Sequence, residues 1–153
     1  MGIAEDIFIR CGQVLEDASF WLEGRTITSE EITTRRLAAS IAGQTAFVLL
    51  QKAFITPYNR EDIWSWRHAC ENVWEAAQDL ALTKTFDSQG AAACRALSDC
   101  AHALQHRSPN IVALLALAER RLCEIKQMPA LSCLTKQGLH AVFCLQQLLL
   151  KNT

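Results

Sequence analysis

An all-α fold, an up-and-down bundle of about six helices, is predicted for this 153-residue chain on three observations. Apolar residues recur at spacings of three, four and seven along most of its length, the period of a helix with one buried face. Ala, Leu, Glu, Gln and Arg dominate, which favours helix, while Gly and Pro number only six and three. No segment sustains the alternation of a strand. The length is that of one domain, so a single bundle over 1–153 is expected, with a core drawn from the 50% of residues that are apolar.

Each element follows from its residues. Ile3, Ile7, Val14, Leu15, Ala18 and Leu22 give a first amphipathic helix that ends at Gly24. Thr28 and Glu31 form a capping box for a second, whose apolar stripe runs through Ile32, Leu37, Ile41, Ala42, Thr45, Val48 and Leu49 to Phe54. Thr56 and Pro57 stop it, because a residue before proline is pushed out of the helical region. Asn59 then offers its amide oxygen as an N-cap, and Glu61 and Asp62 set negative charge against the positive end of the next helix. Ile63, Trp66, Cys70, Val73, Trp74, Ala77 and Leu80 carry this third helix to about Thr83. Asp87 or Ser88 caps a fourth, through Ala91, Cys94, Leu97, Ala101 and Leu104, which gives way at Ser108-Pro109. A fifth spans about Asn110 to Gln127, with Pro109 suited to a first helical position after a Ser108 cap. Pro129 breaks it, and a sixth runs from about Ala130 to Leu150. Gly138 inside it costs about 1 kcal/mol relative to Ala, which makes it a candidate bend or break.

Composition excludes several functions. A formal net charge of -1 with no basic block is not the footprint of a nucleic-acid binder. No apolar run approaches the roughly 20 residues needed to span a bilayer, and the N-terminus lacks the basic-then-apolar pattern of a signal peptide. The seven cysteines are an odd number with no CxxC pair, mostly among apolar helical neighbours, and read as small buried hydrophobes. Free thiols fit a reducing compartment, so a cytoplasmic location is expected. No Ser-His-Asp, Cys-His, P-loop or dinucleotide fingerprint occurs, and an enzyme is not expected.

The junction Phe54-Ile55-Thr56-Pro57-Tyr58-Asn59-Arg60-Glu61-Asp62-Ile63 resembles the F-[IV]-T-P-x-[DN]-R-E-D-I signature of the PhoU-like DUF47 family of phosphate-transport regulators. A helix junction alone accounts for Thr56, Pro57 and Asn59; Phe54, Arg60, Glu61 and Asp62 extend the match beyond it. The resemblance implies a PhoU-like bundle and a non-enzymatic regulatory or adaptor role linked to inorganic phosphate uptake. The implied partner is a Pit-type phosphate transporter or a regulatory protein, met through helical contacts, and a homodimer is compatible with it. The chain is shorter than typical members, and its closing Leu150-Lys151-Asn152 resembles the usual family ending, from which a complete chain is expected.

The resemblance also implies carboxylates on bundle helices that hold a metal cluster. Glu71 and Glu75, at i and i+4 with Asn72 beside them, share a helical face and fall where relatives carry acidic residues. Oxygen ligands of this kind suit a divalent or ferric ion. The matching second-helix stretch, Ala38-Ala39-Ser40-Ile41-Ala42-Gly43-Gln44, has no carboxylate, and Glu119 and Glu124 are accompanied by Arg120 and Arg121. On the last helix Ser132, Lys136 and Leu139 stand in the approximate acidic positions. A solvated face, or ion pairs of Glu71 and Glu75 with neighbours such as Arg67 and Lys84, is therefore the preferred reading, and an iron- or manganese-binding bundle the alternative.

His102 and His106 have an i, i+4 spacing that can grip a metal, but positive charge near a helix C-terminus accounts for them without one. His68 lies beside Glu71 in the same helix. Trp66 and Trp74 belong to the inner stripe, whereas Trp64 and Tyr58 are candidate partner contacts. A plain helical dimerisation module is the remaining alternative, served by exposed stripes on the last two helices that include Leu145, Leu148, Leu149 and Leu150.

Overall fold

A computed structural model describes residues 3–24, positions 30, 31, 33–35, 37, 38, 41, 44 and 45, and residues 58–151. These form helices packed antiparallel in an all-α bundle, with no strand among the described residues. The helices are α1 (Ile3–Leu22), α2 (helical at the described positions between 30 and 45), α3 (Arg60–Leu82), α4 (Ser88–Gln105), α5 (Ile111–Ile125) and α6 (Ser132–Lys151). A 3-10 turn, Pro129–Leu131, precedes α6.

Most expected boundaries are present with their expected chemistry. Gly24 takes a φ of 91°, the left-handed geometry that lets the chain leave α1. Asp87 caps α4, its Oδ1 accepting the Gly90 N–H at 2.8 Å. Asn59 caps α3, its Oδ1 accepting from the N–H groups of Glu61 at 2.9 Å and Asp62 at 3.3 Å. Replacement by alanine strands those donors, so Asn59→Ala is expected to cost about 1 kcal/mol, read as a lower urea midpoint with an unchanged slope. Phe54, Thr56, Pro57 and the Thr28 cap lie outside the described residues.

The core forms where α1, α3, α4 and α6 meet. Phe8, Leu15, Leu22, Ile63, Trp66, Leu97, Leu134 and Leu145 are among its fully enclosed side chains. Polar ties pin α1 against α4 at three levels. Glu23 pairs with Arg95, the Ser98 hydroxyl donates to the Gly12 carbonyl at 3.0 Å, and Arg107 meets Glu5 at 3.4 Å. These pairings run in opposite sequence directions and fix the two helices as antiparallel neighbours. The bare backbone of Gly12 admits the His102 ring, whose Cε1 would lie 3.1 Å from an added Cβ.

Three expectations need correction. Gly138 does not break the last helix, since α6 is continuous from Ser132 to Lys151. The glycine instead makes room for Leu122 of α5, whose Cδ2 would stand 2.4 Å from a Cβ at position 138. The second correction concerns α2, where Leu37 and Ile41 are 62% and 56% exposed rather than on an inner stripe. That helix turns Arg35 and Ala38 toward α1, one turn apart, which carries Leu37 and Ile41 outward. Third, Leu145 and Leu148 are fully buried and Leu149 is half-buried, so the leucine run of α6 is core; of those four only Leu150 is exposed.

Five cysteines, at 11, 70, 94, 100 and 144, are buried as expected, while Cys123 and Cys133 are exposed. Burial pushes the Cys94 and Cys100 thiols up to about 12, which suppresses the reactive thiolate. A thiol reagent should therefore modify two cysteines promptly in the native protein and the other five only on unfolding, as counted by intact mass.

Candidate functional site

The first three turns of α3 carry most of the residues singled out in the sequence. Asn59 fixes where the helix begins, and this phase decides which side chains face inward. Ile63, Arg67, Cys70 and Trp74 follow at i, i+4, i+7 and i+11, all on the buried side. An arginine thus sits on an otherwise apolar ladder.

Arg67 is only 9% exposed and reaches two groups. Its Nη2 donates to Glu71 Oε1 at 2.5 Å, one of the ion pairs considered for that carboxylate. Its guanidinium carbon also lies 4.8 Å from the centroid of the Trp64 ring, a cation–π contact. Trp64 itself is 38% exposed and stacks on His68 with centroids 6.4 Å apart. Tyr58 is half-buried instead, its ring meeting Phe8 edge-on at 5.5 Å. Of the two candidate partner contacts, Trp64 presents a large aromatic surface to solvent and Tyr58 contributes mainly to the core.

Arg67 and Glu71 also border a cavity of about 200 Å³. Arg10, Cys11, Gln13, Val14 and Asp17 of α1, Arg35 and Ala38 of α2, and Arg67, Glu71 and Trp74 of α3 line it. Arg35 is bound to Asp17 at 2.6 Å, which ties α2 to α1. Two buried donors in the lining residues, Arg67 Nη1 and the Trp74 indole N–H, have no acceptor among the described residues. Each such group costs about 1–3 kcal/mol while unpaired.

Glu71 feels the same surroundings. Burial pushes its carboxyl above the ordinary glutamate value, and the Arg67 guanidinium pulls the other way without cancelling the effect. The native state then holds this proton more tightly than the unfolded chain does. Its favourable contribution is complete below the ordinary glutamate value and is lost as pH rises through the folded one. A carboxyl-detected NMR titration should place the Glu71 midpoint above that ordinary value.

Glu75, one turn further on, is exposed, so the two glutamates do not converge on one buried point. Among the described residues no three of His, Cys, Asp or Glu come together in an arrangement that could hold a metal ion. His102 rests against Gly12 and His106 is the exposed C-cap residue of α4; both border one open surface hollow with Asp99. Glu61 and Arg60 are exposed in the first turn of α3, and Asp62 is buried beneath them.

The cavity is the feature the sequence reading missed. Its signal was a charged residue on the Ile63, Cys70, Trp74 ladder, with a carboxylate four residues later to hold it. The contributions of Arg10, Asp17 and Arg35 depend on how α1 and α2 pack, which no local pattern encodes.

Fold and site together define, among the described residues, an all-α helical bundle with a cavity lined by Arg10, Arg35 and Arg67 and an exposed tryptophan on α3. No protein-family model and no curated protein matches the chain. Among the described residues no helix is long and apolar enough to cross a membrane.

Proposed function

We propose that this protein is a non-enzymatic regulatory adaptor of the PhoU-like type, linked to inorganic phosphate uptake. It acts by helical contact with a Pit-type transporter or a regulatory partner, from the cytoplasm. The observation that carries this reading is the position of Trp64. It projects from the turn that follows the Asn59-Arg60-Glu61-Asp62 part of the signature, with its ring steadied by Arg67 and His68. A rigid, partly exposed aromatic flanked by a cation has the character of an interface anchor, a residue type that concentrates binding energy. The signature residues would then set the helix start and hence the aim of the anchor.

Uptake of radiolabelled phosphate tests the role. Cells that lack this protein should show an altered initial uptake rate through a Pit-type transporter, restored by the wild-type chain and not by a Trp64→Ala variant of equal abundance. Uptake that is the same with and without the protein rejects the role.

The metal-binding alternative rests on Glu71 and Glu75, of which the first is committed to Arg67 and the second is exposed. Neither arrangement favours it over the adaptor reading.

A further inference from the structure

We propose that His102 and His106 of α4 chelate a divalent transition-metal ion of the zinc class in the open hollow they share with Asp99. The helix sets the pair. His106 still donates its backbone N–H to the His102 carbonyl at 3.1 Å, so it stands one helical turn beyond His102 on the same face. Asp99 lies three residues before His102, one turn the other way. All three line a hollow of about 390 Å³ together with Ser108 and Leu114.

The hollow suits a cation held by imidazoles. Among the described residues the side chains of Asp99, His102 and His106 enter no hydrogen bond or ion pair, so their ligand atoms are uncommitted. The lining holds one carboxylate and neither lysine nor arginine. Arg107, next to His106 in the chain, is paired with Glu5 at 3.4 Å. The negative end of the α4 dipole also lies here and favours positive charge. A place near a helix C-terminus accounts for the exposed His106, but it does not account for a half-buried His102. That ring is set against the bare backbone of Gly12, its Cε1 3.1 Å from where a Cβ would stand. A ring steadied in this way loses little freedom when it takes a ligand.

Imidazole nitrogen is a ligand of borderline ions such as zinc, nickel and copper, whereas magnesium and calcium take oxygen. Two imidazoles one helical turn apart can grip a single ion. No third protein ligand is needed, because water fills the remaining positions of an open site, and Asp99 adds negative charge beside them. Each histidine raises the affinity of the other, since the second bond forms within a complex already made. The site shares no residue with the Trp64 face, so it and the adaptor role can fail separately.

The test follows the imidazole signals of the untagged, full-length protein by NMR, from four histidines in all, with those of His102 and His106 assigned through His102→Gln and His106→Gln. Zinc chloride is titrated at constant ionic strength, with magnesium chloride as the control. Zinc should shift the His102 and His106 signals together and saturably, with one shared midpoint, while magnesium moves neither. Affinity at the remaining ring should fall about tenfold or more in each single variant, because the chelate is lost. Absence of a saturable zinc shift at these two rings overturns the proposal, as does a magnesium response equal to that of zinc or an affinity in either variant equal to wild type. If His102→Gln is unfolded by circular dichroism, the exposed His106→Gln decides, with the His102 ring as reporter, and an unchanged affinity there overturns it.

Discussion

Trp66→Ala is expected to destabilise the protein by about 3–5 kcal/mol, a large part of the roughly 5–15 kcal/mol that separates a typical domain from its unfolded state. Trp66 is wholly enclosed and is the largest fully buried side chain among the described residues, so its truncation opens a cavity between packed helices that relax only in part. For a chain of this size the melting temperature should fall by on the order of 10 °C. Trp66→Phe separates packing from polarity. The indole N–H is buried with no acceptor among the described residues, so its removal offsets some of the lost volume. Phenylalanine should cost no more than about 1.5 kcal/mol, and an equal loss in both variants would show that the nitrogen is engaged.

The second large effect concerns Gly138. A side chain there meets Leu122, with Cδ2 at 2.4 Å and Cδ1 at 3.1 Å from the first added carbon. Leu122 is itself 1% exposed, so it can yield only by disturbing the core between α5 and α6. Gly138→Val should therefore cost about 3 kcal/mol, although glycine within a helix is ordinarily the poorer residue. A double-mutant cycle isolates the contact. Leu122→Ala alone leaves a cavity, about 2–5 kcal/mol, and the pair should cost less than the sum because the new methyl groups occupy that space. Strict additivity would mean that Gly138 matters for some reason other than Leu122.

These two residues also show what was readable without coordinates. Trp66 announced itself, since it falls on the apolar period of α3 with Ile63, Cys70 and Val73. The cap at Asn59 was equally legible, because its chemistry is local: an amide side chain, a following acidic pair and a preceding proline. Gly138 carried a misleading signal. Its conformational cost is visible in sequence, but the reason to bear it is a leucine on another helix, sixteen positions earlier. Leu37 and Ile41 failed for a related cause. The apolar period of α2 fits more than one face, and both residues are exposed on a helix whose Arg35 pairs with Asp17 of α1. The leucines of α6 were visible as a stripe, but a stripe does not say whether the bundle or a partner covers it; here α3 and α5 pack against that helix. The cavity was the least legible feature. Its arginines come from three helices, and only Arg67 stands out within its own.

The proposed adaptor role stands most directly on contact between this bundle and the proposed transporter partner. The measurement is binding of the purified protein to a Pit-type phosphate transporter reconstituted in nanodiscs, with wild type and Trp64→Ala compared at equal stability. Saturable binding by wild type, weakened by about tenfold or more when the central aromatic is truncated, is the predicted result. Binding that is absent, or that the Trp64→Ala variant retains in full, would contradict the assignment of this face as the docking surface.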